Sequence, residues 1–265
     1  MRDLEPFLRD SGAGPAVICI HANASSSSQW RPLAEELAAT NRVLAPDCYG
    51  SGRSPDWNSD RIISLSDEVQ FLEPVFSKAG SSFTLVGHSY GAAVALIAAS
   101  RFRDRVRSLV LYEPTLFSVI DAESPPPNEA DGIRNTVAAA AKLLDQGDTC
   151  AAARVFIDYW MGVGAWDAMP EDRKPAISSS VRNVRRWAHA LFGERTPLEE
   201  LANLQMPTLI LTGERSTASA HGVSRRLLGA LPRASSHAFQ KLGHMGPVTH
   251  AEEVNAEIAK FLKVV

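Results

Sequence analysis

This chain predicts an α/β fold: a mostly parallel central sheet with helices on both faces and a helical insert. Three observations carry that expectation. Short apolar runs flanked by turn residues recur along the sequence, segments of helical periodicity separate them, and the alternation halts between residues 115 and 204. Strands that are apolar on both faces need cover on both faces, which a parallel sheet obtains from its crossover helices.

The first clear strand is expected at residues 17–20, Val-Ile-Cys-Ile, where no polar residue marks a solvent side. Similar β-branched or Leu-rich runs stand at 43–46, 83–86, 109–112 and 208–211. Residues 236–240 read as a weaker strand closing the sheet, and residues 7–9 as an edge strand at the start. Helices are expected over 29–39, where Trp30, Leu33 and Leu37 recur at three and four residues, and over 66–78, 90–102, 222–231 and 252–262. The interval 115–204 begins with a proline-rich stretch at 124–128 and then reads as helices near 133–144, 151–160 and 177–191. Helices inserted between two sheet strands form a cap over the carboxyl edge, where open α/β sheets bind ligands. The expected organisation is a core domain, residues 1–114 and 205–265, carrying a cap, residues 115–204.

Composition narrows the function classes. With 265 residues, 45% hydrophobic and 22% charged, the chain has the makings of a sizeable core, which excludes disorder as its main state. Lys and Arg number 27 against 30 Asp and Glu, with no long block of one sign, so a nucleic-acid partner is not expected. The longest apolar stretches, such as residues 92–99, fall far short of the ~18 residues that cross a bilayer, so no membrane partner is expected. The start, Met-Arg-Asp-Leu-Glu-Pro, lacks the basic residues and apolar run of a secretory signal. Cys19, Cys48 and Cys150 are odd in number and widely spaced, which suits a reducing cytoplasm. Neither an HExxH motif nor a close His/Cys cluster exists, so no metal is expected. Gly12-Ala13-Gly14 precedes a strand, and Gly50-Ser51-Gly52 lacks the Lys-Ser/Thr of a phosphate loop, so no nucleotide cofactor is expected either.

One motif carries chemistry. Gly87-His88-Ser89-Tyr90-Gly91 lies directly between an expected strand and an Ala-rich helix. A serine in a sharp strand-to-helix turn presents its hydroxyl at the sheet edge, and glycines on either side permit close backbone approach. Serine needs a base to take its proton, and the base is sought late in the chain. His244, in Lys241-Leu242-Gly243-His244-Met245-Gly246-Pro247, occupies a loop between the last strand and the final helix. The other histidines have weaker claims: His88 is inside the elbow, His189 and His221 are on helices, His237 is in a strand, and His250 precedes the last helix.

At these motifs the chain resembles the α/β-hydrolase superfamily, and the resemblance extends over nearly its whole length. Ile20-His21-Ala22-Asn23 matches the family's oxyanion loop, with Ala22 where glycine is usual, and Asp47-Cys48-Tyr49-Gly50-Ser51-Gly52-Arg53-Ser54 matches its DxxGxGxS turn. The resemblance implies an α/β-hydrolase fold, Ser89 as nucleophile, His244 as base, and the backbone N–H groups of Asn23 and Tyr90 as the oxyanion hole. It also exposes a departure. The acid of most relatives is the Asp of a GxxD pattern, which here reads Gly213-Glu214-Arg215-Ser216. Some branches place the acid after the preceding strand, and there the sequence reads Tyr112-Glu113-Pro114. Glu113 is therefore the expected acid, with Glu214 as the alternative. The region of Asn23, Trp30 and Glu113 is similar to the dehalogenase branch, whose chemistry requires a carboxylate nucleophile that Ser89 is not.

The implied activity is cofactor-free serine hydrolysis of a small-molecule carboxylic ester with a small to medium acyl group. Lactone, amide or carbon–carbon bond hydrolysis and perhydrolysis use the same triad, and a ligand receptor on the same scaffold is the alternative from another class. Trp160, Trp166 and Trp187 are the candidate substrate contacts within the cap.

Overall fold

Alternate residues of the central strands supply two separate cores. The computed structural model describes residues 5–265, whose sheet contains β1 (Leu8–Gly12), β2 (Ala16–Ile20), β3 (Arg42–Pro46), β4 (Phe83–His88), β5 (Val106–Tyr112), β6 (Thr208–Gly213) and β7 (Ala234–Phe239). Their spatial order is β1-β3-β2-β4-β5-β6-β7, with β1 antiparallel to β3 and every other pair parallel. On one face Ile18, Ile20, Leu85, Leu109 and Leu111 pack under the helix Tyr90–Arg101 and the cap. On the other, Val17, Cys19, Val86 and Val110 pack against Leu33, Val254 and Ile258 of the helices Arg31–Leu37 and Ala251–Leu262. This period-two division is the origin of the uninterrupted apolar runs.

Two long helical expectations divide. Residues 66–78 form two helices, Leu65–Phe71 and Glu73–Lys78, because Pro74 has no N–H to continue the first and fits only an opening turn. The cap stretch 177–191 likewise falls into Lys174–Val181 and Val184–Phe192. Other inserted helices have local causes. Asp148 accepts from the Ala151 N–H and starts Thr149–Met161, and Gly162, at φ 97°, ends it. The helices Asp131–Asp145 and Val184–Phe192 are joined by Arg185, which donates to the Ala141 carbonyl and the Asp145 carboxylate. A short helix absent from the expectations, Ser118–Glu123, meets the core helix Ala218–Ala230 through the buried Arg226, paired to Glu123 and Glu129.

Trp30 belongs to the second core, packed with Val17 and Leu33. Among the described residues no helix is long and apolar enough to cross a membrane.

Candidate active site

The turn that carries Ser89 is forced by backbone proximity. Ser89 sits between β4 and the helix Tyr90–Arg101 at φ 56°, ψ −117°, a conformation that costs a non-glycine residue on the order of 1–3 kcal/mol. A Cβ on Gly91 would lie 2.3 Å from the carbonyl oxygen of Ile20, and one on Gly87 2.5 Å from the Cα of Ala92. Both glycines of the motif are thus demanded by contact rather than by flexibility. The Ser89 N–H donates to the Tyr112 carbonyl at 2.9 Å, which fixes the turn to the end of β5.

His244 and Glu113 converge on the same point. The Nε2 of His244 is 2.9 Å from Ser89 Oγ, and its Nδ1 is 2.6 Å from Glu113 Oε2. An ionised carboxylate only accepts, so Nδ1 carries the proton and the bare Nε2 faces the serine hydroxyl. Glu113 leaves β5 at φ 43° and is fully buried, yet both oxygens are satisfied: Oε1 accepts the Gly213 N–H at 2.7 Å and Oε2 also accepts the Ser216 hydroxyl. The position where the resemblance expected an aspartate therefore donates to Glu113 at the end of the neighbouring strand. Glu214, the alternative carboxylate, is exposed and makes no bond to His244. The series Ser89–His244–Glu113 can withdraw the serine proton and hold the resulting imidazolium against a carboxylate, in surroundings where Ser89 and His244 are only 5% and 2% exposed.

Two residues that the quoted segments contain but give no role hold the histidine loop. The Nε2–H of His88 donates to the His244 carbonyl at 2.8 Å, and the Tyr112 hydroxyl donates to that of Gly243 at 2.8 Å. Burial keeps His88 neutral, with its pKa well below the ordinary histidine range. Gly246 is required because a Cβ there would lie 2.1 Å from the Tyr112 oxygen.

The loop after β2 is fixed just as closely. His21 donates from Nδ1 to the Ala22 carbonyl at 2.7 Å and accepts the Cys48 N–H at Nε2, while the Ala22 N–H donates to Gln29 Oε1. Ala24 stands at φ 54°, and Asn23 and Ser89 both line one cavity. Asp47, the first residue of the DxxGxGxS turn, accepts the N–H groups of Ser27 and Arg53, and a Cβ on Gly52 would strike its carboxylate at 2.1 Å. Tyr90 offers the first N–H of its helix, one of those that intrahelical bonding leaves free. Its side chain points into the core, donating to Glu68 Oε1, while Glu68 Oε2 accepts the Tyr49 N–H. Burial raises the Glu68 carboxyl from 4.5 to about 8.

The cavity, about 1270 Å³, is lined by the loops after β2 and β4 and by helices inserted between β5 and β6. Its lining includes the apolar side chains of Ile133, Val137, Phe156 and Leu191 and the polar ones of Ser25, Asp56, Arg182 and Asn183. Trp160 and Trp187 line it. Trp166 does not: it is 1% exposed, lies outside the lining, and is packed into the cap core, so its assignment as a substrate contact is corrected.

Residues 15–251 match the alpha/beta hydrolase fold family. The chain belongs to that family. A 2-hydroxymuconate semialdehyde hydrolase of Pseudomonas sp. (strain CF600) is 27% identical, over 96% of this chain and 89% of its own. A pimeloyl-[acyl-carrier protein] methyl ester esterase of Chromobacterium violaceum is 25% identical, over 97% and 98%. An alpha/beta hydrolase enzyme from a Medee basin deep-sea metagenome library shares the fold with a TM-score of 0.81 at 17% identity, over 97% of this chain and 94% of that one. This family member accordingly has hydrolases among its relatives over nearly its full length, with different substrates in their names.

Proposed function

We propose that this hydrolase is a cofactor-free serine esterase acting on carboxylic esters of small to medium acyl groups. The observation that carries the reading is the hydrogen-bonded series from Ser89 Oγ through His244 to Glu113. Ser89 attacks the ester carbonyl while its proton passes to His244 Nε2, and Glu113 balances the imidazolium. The oxyanion is received by the N–H groups of Asn23 and Tyr90, each such donor being worth about 3 kcal/mol in the transition state. The Nε2 proton then leaves with the alcohol, and water, deprotonated by the same nitrogen, releases the acid and regenerates Ser89. The apolar side chains in the cavity lining support an acyl group as the buried moiety.

Hydrolysis of nitrophenyl esters is the test. Ser89→Ala should lose on the order of 10⁶ in kcat with its thermal unfolding unchanged. Retention of most activity in the pure variant overturns the reading, and labelling of Ser89 by a fluorophosphonate without turnover on a broad ester panel favours a receptor instead. The relative named for 2-hydroxymuconate semialdehyde supports a second reading, in which that compound is a better substrate than any ester. Comparing kcat/KM on the two substrates decides between them.

A further inference from the structure

We infer that Trp160 is a positioning residue: by stacking on the imidazole of His244 it makes the cap part of the apparatus that orients the general base. The inference rests on the esterase reading of the same site. Trp160 is the penultimate residue of the helix Thr149–Met161, and its ring lies 3.9 Å from that of His244, centroid to centroid, with an interplanar angle of 23°. The two nitrogens of the imidazole are already engaged, one by Glu113 and the other by Ser89. Those two bonds fix the ring along the line joining the nitrogens but leave it free to rock about that line. A flat surface against one face removes this freedom. His88, tilted at 49° with its centroid 5.3 Å away, offers no such surface.

The indole is itself fastened to the acid side of the site. The preceding residue, Tyr159, is hydrogen-bonded through its hydroxyl to Ser219 Oγ at 2.8 Å, and Ser219 is bonded to Thr217 at 3.0 Å. Thr217 follows Ser216, the donor to Glu113. The Tyr159 ring meets the Trp160 ring edge-on at 4.9 Å and 80°, and Gly132 leaves the room it occupies, since a Cβ there would lie 3.1 Å from it. The end of one cap helix thus touches the base directly and the acid through a short polar chain. Its second effect is electronic. The negative face of an indole favours a cation held against it, and the imidazole becomes a cation only as the serine proton arrives. An interaction that strengthens in the transition state appears in kcat and not in substrate binding.

Trp160 also lines the cavity, so a simple wall is the rival role, and the two separate experimentally. A wall residue alters KM and the ranking of acyl lengths; a residue acting through His244 slows every ester equally. In the full chain, Trp160→Leu should lose about 10- to 100-fold in kcat, by the same factor on nitrophenyl acetate and octanoate, with KM for acetate within ~2-fold. Trp160→Phe, which restores a flat ring, should stay within ~3-fold of the parent. The far-downfield proton NMR signal of the His244 Nδ1–H should broaden or shift in the leucine variant and persist in the phenylalanine one. Should the leucine variant fail to fold, Trp160→Met fills much of the volume without a ring and is read in the same way. A loss confined to the longer ester, a loss residing in KM, or equal behaviour of Phe and Leu overturns the inference. The NMR readout needs no substrate, so failure on esters with the signal still dependent on Trp160 discards the esterase reading alone.

Discussion

At the floor of the site, Ser89 and Glu113 adopt φ of 56° and 43°, and a side chain on Gly91 would lie 2.3 Å from a carbonyl oxygen. In the roof, Gly162 and Gly164 close one helix and open the next with nothing within 4 Å of where a Cβ would stand. Around the floor, backbone meets backbone, and residue identity at several positions is dictated by the absence of space. The roof is assembled from side-chain volume, which many sequences can supply. A motif therefore marks one region and not the other, although both enclose the same cavity.

The sharpest challenge to this contrast is at the acid. Glu113→Gln preserves shape but offers an amide that favours the wrong imidazole tautomer, so kcat should fall by about 10³ to 10⁴, whereas Glu214→Gln should cost less than about tenfold. Steady-state kinetics on a nitrophenyl ester measures both, and the reverse ranking would move the acid to Glu214. Next in size, Trp166→Ala removes a ring buried in the cap core and should cost about 3–5 kcal/mol in urea unfolding. Acyl-length preference among the folded molecules should stay unchanged; a changed preference would return Trp166 to the site.

Behind the floor, Glu68 provides a pH test. Its folded-state pKa, raised to about 8 by burial, exceeds the ordinary 4.5, so the native protein keeps a proton that the unfolded chain releases. That contribution to stability is complete below about pH 4.5 and is lost as pH rises toward 8. Glu68→Gln cannot titrate, and its stability relative to the parent should rise by up to about 1.4 kcal/mol per pH unit across that window. Parallel unfolding midpoints from pH 5 to 8 would contradict it. The smallest effect belongs to the roof: Trp187→Ala should change the octanoate-to-acetate ratio of kcat/KM by about tenfold while leaving fluorophosphonate labelling of Ser89 near the parental rate. An unchanged ratio would make Trp187 core alone.

What could be read from the sequence follows the same division. The five inner strands were legible because each is covered on both faces, and the turn at Ser89, because both its glycines are demanded by close backbone contact, with Ala92 and with Ile20. The place of Glu113 beside His244 was legible through a missing carboxylate at Ser216, a gap that pointed to a neighbouring strand. His88 and Tyr112 were not, since each reaches the histidine loop through a carbonyl oxygen more than a hundred residues distant, and a carbonyl has no sequence signature. Apolar periodicity located the helix bearing Trp160 without saying that the ring meets His244, and gave Trp166 the same weight although it faces inward. The break before Pro74 stood in plain view, but the helical period runs through it undisturbed.

The hydroxyl of Ser216 on the Glu113 carboxylate bears on how many charges the site has to hold. An acid at the end of β6 and an acid at the end of β5 address a single Nδ1–H, and two ionised carboxylates there would repel until one took up a proton. The protonated member of such a pair is a donor to its neighbour. Serine at 216 supplies such a donor without placing a second charge beside Glu113.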